Sequence, residues 1–476
     1  MSSHHMLTRR SLLRIAGAAT GAAALAACVA TPTPQVVEKV VKETVVVTQE
    51  VEKVVKETVV VEKPVEATPV SGPVKIVWRD WFAADDMVDA CKAFTEKYGI
   101  TAEPQTAGTD EKLIAELVSG TAPDCWGSGA AMHWTYLGAC ADLTEFYAAM
   151  PKEEVEDMWP ANIPCQQWQG KWYGVPMDAS LPLMYYNRDA YEEAGVALPT
   201  PEWTHDDFVA AALALKKEEG GKVTRWGHTP CVHDGWIECN LSWIFQFDTE
   251  FIDEELKNSL ADDPKTIEAV QWFADLWLKN GVSATADDVA GIGAMTMFFQ
   301  GQSCMHDVAL YGLGSLLNET VAGNIKFKWD IAPLPKGVIA AHQFFPHSVV
   351  MNVNTPYKKE TWELMHALMW DDDVMPLLYT SGSSIPGRIS TMDNLTKYMP
   401  PGSADVLPEG AKYIKETIPS CRSKRANFIT TGNEHEATLT EALSLVFIGE
   451  KTAQEALTEA KPKLQRYIES SKHAGV

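Results

Sequence analysis

No catalytic signature is written into this chain. It has no G-x-S-x-G elbow, no H-E-x-x-H, no G-x-x-x-x-G-K-[ST] and no G-x-G-x-x-G. Elbow-type hydrolases, zincins, P-loop enzymes and dinucleotide-binding enzymes are therefore without support. C-x-x-C is also absent, and the group His228, Cys231, His233 and Cys239 is spaced too irregularly for a zinc site. Positive charge is scarce: 40 Lys and Arg face 64 Asp and Glu, a net charge of −24. So acidic a chain is a poor partner for nucleic acid or for an anionic membrane surface. Its acidic pairs, such as Asp85/Asp86, Asp262/Asp263 and Asp287/Asp288, fall at helix entries and turns. There they complement the helix dipole and do not define a glycosidase pair. No metal or cofactor is expected.

What is present fits a globular body. The 476 residues are 46% hydrophobic and 22% charged, enough for a real core and for two or three domains. Sixteen Trp exceed ordinary usage and can serve both a core and a stacking cleft. Apart from Cys28, eight cysteines remain, an even number that allows disulfides in an exported chain without fixing their pairing.

The first 28 residues read as an address. Thr-Arg-Arg-Ser-Leu-Leu at 8–13 resembles a twin-arginine export signal. The apolar run 15–27 is too short and too rich in Ala and Gly to span a bilayer. It ends Leu25-Ala26-Ala27-Cys28, which resembles a lipobox. In such signals the Cys becomes the first mature residue and carries lipid, so Cys28 is the expected lipidation site. Residues 29–72 read as a tether. VEKVVKETVVV occurs at 37–47 and again at 51–61, bracketed by Pro32, Pro34, Pro64, Pro69 and Pro73, with no Leu or aromatic to build a core. Val and Thr favour extended chain. As a coil, the tether would average roughly 35 Å end to end.

The body begins near Pro73. Strand 74–78, helix 85–98 stopping at Gly99, strand 100–104 and helix 110–119 stopping at Gly120 alternate as in an open α/β sheet. The organising stretch is 169–196, QGKWYGVPMDASLPLMYYNRDAYEEAGV. It reads as a strand over 172–175, a proline break at Pro176, a polar bend and a second apolar strand over 181–186. A helix then opens near Asn187 and stops at Gly195. Two strands joined by a short non-hairpin bend suit a chain passing from one sheet into another, which is what a hinge between lobes needs. Further on, Trp226-Gly227 reads as the start of a strand and 297–305 as another.

The pattern GKWYGVP…YYNRDAYEEAGV resembles the sugar-carrying extracellular solute-binding proteins (family 1) of ABC importers. Ala122-Pro123-Asp124-Cys125-Trp126, then Gly138 with Asp142-Leu143-Thr144, Pro201-Glu202-Trp203-Thr204, the run 297–305 and Pro333-Leu334-Pro335 strengthen it, in the right order. The resemblance covers about 73 to 470. It implies an α/β, two-lobe periplasmic-binding-protein-like fold (type II) whose lobes are joined by three crossings, near 177–182, 334–345 and 382–388. Residues 73–178 with 340–383 would form the first lobe, and 179–339 with 384–476 the second. It implies a monomer without enzymatic activity. Lipid would hold it at the outer face of the cell membrane, where it would capture a small carbohydrate by hinge closure and deliver it to the membrane-spanning permease. The rival readings are the same fold taking a cationic solute such as a polyamine, and a secreted carbohydrate-active hydrolase.

A sugar site needs flat aromatic faces and hydrogen-bonding carboxylates, amides or Arg. In open α/β sheets these gather at the carboxyl ends of strands. That rule selects Asp80 and Trp81 after the first strand, Trp126 after the third, Asp178 at the hinge, and Trp236 in the aromatic stretch 235–247. It adds Asp307 after the Met305 strand, Phe345 beside Phe344 and His347 at the return crossing, and Arg388 at the third crossing.

Overall fold

The computed structural model describes residues 73–234, 241–382 and 384–472. The expectations for Cys28, the tether and Trp236 lie outside these residues. The ten strands of the two main sheets are β1 (Lys75–Asp80), β2 (Thr101–Thr106), β3 (Cys125–Ser128), β4 (Gly174–Ser180), β5 (Pro182–Asn187), β6 (Thr229–Pro230), β7 (Met305–Ala309), β8 (Trp329–Ala332), β9 (Phe345–Met351) and β10 (Ile385–Pro386). The first sheet has six strands in the order β10-β4-β9-β3-β1-β2, and the second has four in the order β6-β7-β5-β8.

Alternation along each strand builds a core on the sheet. In β1, Ile76 and Trp78 share a core with Met87, Phe94 and Leu364 of the helices Ala84–Tyr98 and Lys358–Trp370 and with Val349 and Met351 of β9. The second sheet packs Met184, Tyr186 and Met305 against the helices His205–Leu215, Pro264–Leu278, Gly432–Phe447 and Ala453–Ser470. Burying one large apolar side chain is worth about 1.5–3 kcal/mol, so each sheet with its helices has a core of its own.

Only Leu181 separates β4 in the first sheet from β5 in the second. The chain returns through 333–344 to β9. It leaves again after β10, and the last two helices then join the second core. Three crossings between two sheets give the type II two-lobe fold. Caps end the elements where the residues suggest: Asn187 accepts from the Ala190 N–H, and Gly195 closes that helix at φ 64°. Thr452 and Glu455 form a capping box for the last helix.

Three local expectations need correction. Pro176 does not break its strand, because β4 runs through it. His347 faces Asp178 while Ser348 faces Pro176, which leaves Met177 as the extra residue of a bulge. Proline is tolerated at such an irregularity. Residues Ala294–Phe299 form a helix, not a strand, so β7 begins at Met305 and Asp307 lies within it rather than after it. Trp226 makes only an isolated bridge to Ser303, and β6 starts at Thr229. Among the described residues Cys91, Cys125, Cys140, Cys165, Cys304 and Cys421 form no disulfide.

The helix Tyr311–Val321, which follows β7, lies on the approach to the third crossing. A Cβ on Gly314 would fall 1.8 Å from the Gly382 carbonyl oxygen, and Asn318 Nδ2 donates to Ser381 O at 3.0 Å. Gly314→Ala is therefore expected to lower stability by about 1–3 kcal/mol, the usual cost of overpacking. Chemical denaturation would show this as a lower midpoint with an unchanged slope.

Candidate ligand-binding site

One edge of the first sheet gathers the carboxyl ends that matter. β1 and β3 are parallel. β9 is antiparallel to both β3 and β4, so β4 runs with β1 and β3. Asp80, Ser128 and Ser180 thus end their strands on the same edge, where β9 begins at Phe345.

At this edge a buried imidazole lies between two carboxylates. His347 Nε2 donates to Asp80 Oδ1 at 3.0 Å, and Nδ1 lies 3.2 Å from Asp178 Oδ2. The second contact is an ion pair that lacks the alignment of a good hydrogen bond. Asp178 is directly opposite His347 across the β4–β9 ladder. Asp80 reaches His347 from two strands away, across β3. Gly127 leaves that path open: a Cβ there would fall 2.5 Å from Asp80 Oδ1. Burial alone would lower the pKa of His347, but the two carboxylates outweigh it and raise the pKa from 6.5 to about 10. The imidazole is therefore a cation at neutral pH.

Around this pair the remaining groups fall into place. Asp80 Oδ1 also accepts from the Trp81 N–H at 2.7 Å, and Oδ2 accepts from Trp78 Nε1 at 3.1 Å. Asp178 Oδ2 accepts from the Ser384 hydroxyl, which brings the third crossing to the site. Among the described residues none donates to Asp178 Oδ1. The Trp81 indole stacks on His347 with ring centroids 4.4 Å apart, and Trp81 is 52% exposed. Phe82 packs on the imidazole at 5.0 Å and is itself buried. One face of a large ring is thus backed by a cation and the other is open to solvent. Such a face suits the C–H face of a pyranose.

The other expected residues go elsewhere. Trp126 is 1% exposed and meets Trp134 edge-on, in the packing under the helix Asp110–Ser119. Asp307 is 2% exposed. It accepts from His228 Nε2 at 3.1 Å, Cys231 N at 2.9 Å and Trp243 Nε1 at 2.7 Å. Burial would raise its pKa, yet the hydrogen bond and charge of His228 hold it low. This is a carboxylate spent on joining β6, β7 and the helix Leu241–Phe245. Asp80 is fully buried and supports Trp81 from behind. Phe345 is half-buried opposite Ser180, and Phe344 is buried against Trp159. Arg388 Nε donates to Asp157 Oδ2 at 2.8 Å beside a cavity of about 440 Å³ lined by Glu153, Glu154 and Ser390. A second cavity, of about 550 Å³, holds Arg79, whose guanidinium Glu116 already binds.

Sequence reasoning named His347 among the groups at the return crossing without pairing it with Asp80 or Asp178, and it missed Gly127 and Ser384 as parts of the site. No local pattern marks them, because the pairing of β9 with β4 gives them their roles.

The two lobes and their edge site define a class: a solute-binding protein of the type II fold. Residues 89–394 match the model of the bacterial extracellular solute-binding protein family, and the chain belongs to that family. A binding protein of Brucella abortus is 26% identical over 208 residues, 43% of this chain and 48% of that protein. The chain thus matches about half the length of this curated relative. An arabinooligosaccharide-binding protein of Halalkalibacterium halodurans is 33% identical over 107 residues, 22% of each chain. An ABC substrate-binding protein of Listeria monocytogenes, solved in complex with cycloalternan, superposes with a TM-score of 0.72 at 18% identity. That superposition covers 84% of this chain and all of the Listeria chain.

The raised pKa of His347 has a signed consequence. The folded state holds this proton more tightly than the unfolded chain, so the stabilisation is fully present below about pH 6.5 and is lost as pH rises through about 10. Urea denaturation at a series of pH values should show the stability gap between the native protein and His347→Gln narrowing across this window. A gap independent of pH would contradict the ion pairing.

Proposed function

We propose that the protein captures a carbohydrate outside the cytoplasm and hands it to the membrane-spanning permease of an ABC importer, without altering it chemically. The observation that carries this reading is the Trp81 indole, half exposed and backed by a buried imidazolium, beside an Asp178 oxygen that has no donor among the described residues. The ring offers a stacking face and the carboxylate a charge-assisted acceptor for a sugar hydroxyl. The arabinooligosaccharide-binding relative supports the choice of ligand class.

In this reading residues 73–178 with 340–383 form one lobe and 179–339 with 384–476 the other, except that Ala179, Ser180 and β10 are drawn into the first by their pairing within its sheet. Ligand held by Trp81 and Asp178 on the first lobe closes the second over it, by as much as it binds the closed form better than the open one. Export follows the twin-arginine-like segment, and lipid on Cys28 holds a monomer at the outer face of the membrane. The tether of 29–72 gives the body reach from that anchor.

A thermal-shift screen of arabino-, malto- and manno-oligosaccharides, with spermidine as the cationic comparison, tests the ligand class. Stabilisation by spermidine alone would favour the polyamine reading. For the sugar that binds, Trp81→Ala is expected to weaken Kd by about tenfold to a hundredfold, the loss of about 1.4–2.8 kcal/mol of stacking and burial. Calorimetry measures this directly. Unchanged affinity would remove Trp81 from the site.

A further inference from the structure

Trp81 is held from one side only. Its sole ring partner among the described residues is His347, at 4.4 Å and an interplanar angle of 27°. Asp80 Oδ1 ties the two together, accepting from the Trp81 backbone N–H and from His347 Nε2. Backbone and ring of Trp81 are therefore referred to the same carboxylate oxygen, one directly and one through the imidazole. On the far side, His347 Nδ1 and the Ser384 hydroxyl both meet Asp178 Oδ2. That commits one oxygen and leaves Oδ1 without a donor among the described residues.

His347 itself is 3% exposed, so it is covered by Trp81 and Phe82 and does not face the solvent a ligand would come from. The charged groups facing it are Asp80 from β1 and Asp178 from β4, with Tyr379 next in line beyond Phe82. All these strands are fixed by ladder pairing before any ligand arrives.

We propose that His347 is the positioning residue of this platform: without touching the ligand, it sets the angle of the Trp81 ring and the direction of the free Asp178 oxygen, so that both are preformed. This rests on the reading of Trp81 and Asp178 as ligand groups. It adds that an imidazole, which is flat and meets a carboxylate at each ring nitrogen, is required behind them. Lysine would keep a cation between the carboxylates but offer no flat face. Glutamine would lose the charge. A preformed platform spares the ordering that a free indole would need on binding.

The test uses the full chain, purified in detergent, as native protein, His347→Gln, His347→Lys and Trp81→Phe. The emission of the native protein minus that of Trp81→Phe isolates the contribution of Trp81. The same difference is taken for each His347 variant in the background of Trp81→Phe. In the native protein this contribution should be weak, because a protonated imidazole in ring contact quenches indole, and poorly accessible to acrylamide. In both His347 variants it should brighten and become more accessible. His347→Lys should keep a thermal midpoint close to that of the native protein, which separates positioning from folding if His347→Gln unfolds. Arabinotriose, titrated by calorimetry, should bind both variants about tenfold more weakly, the scale of one lost aromatic–cation arrangement.

Unchanged Trp81 emission in His347→Lys would overturn the proposal. So would native-like arabinotriose affinity in a variant whose emission has changed. If the native protein binds none of the oligosaccharides, the carbohydrate reading fails instead, and the emission result alone upholds or overturns the role of His347.

Discussion

A cation enclosed by two carboxylates inside a protein is expensive to form and more expensive to break. Removing one partner of a buried pair usually costs about 3–5 kcal/mol, because the other is left without compensation. The His347 pair therefore constrains everything that reaches it. β1 must end where Asp80 can bend inward, β3 must carry glycine at Gly127, and β4 must bulge at Met177 so that Asp178 comes opposite the imidazole. Ser384, on the third crossing, then finds its acceptor at the same place. Several features that look unrelated along the chain, a glycine, a proline-containing bulge and a serine, serve one arrangement of charge.

The second sheet solves a similar problem differently. Asp307 is buried with three donors, two of them side chains of His228 and Trp243, and no oxygen points to solvent. It joins a short strand, a long one and an aromatic helix. The contrast clarifies why Asp178 is the candidate ligand group and Asp307 a structural one. Both are acids at a sheet, but only Asp178 keeps an oxygen without a donor among the described residues.

How much of this was legible beforehand follows from range. Helix ends were legible because caps are local: Asn187, Gly195, Gly99 and Gly120 each act within one turn. The passage from β4 to β5 was legible because two apolar runs with no hairpin turn leave few alternatives. Pro176 was misread because its tolerance depends on a bulge created by a partner strand far along the chain. Trp126 looked like a cleft residue by its place after a strand, yet alternation turns its ring toward Trp134 and away from the edge. Trp81 and Asp178 were legible as candidates, but the imidazole that relates them was not, since no spacing rule pairs residue 347 with residue 80.

The single residue between the two sheets has a mechanical meaning. Asp178 and Pro182 belong to different sheets yet are separated by only three residues, of which Leu181 alone is outside a strand. Any rotation of one half against the other must be absorbed within that short span, a few bonds from the acid expected to meet the ligand. The candidate ligand group and the pivot are therefore neighbours along the chain, and a tilt of the second half is felt at that carboxylate with almost no intervening chain to dissipate it.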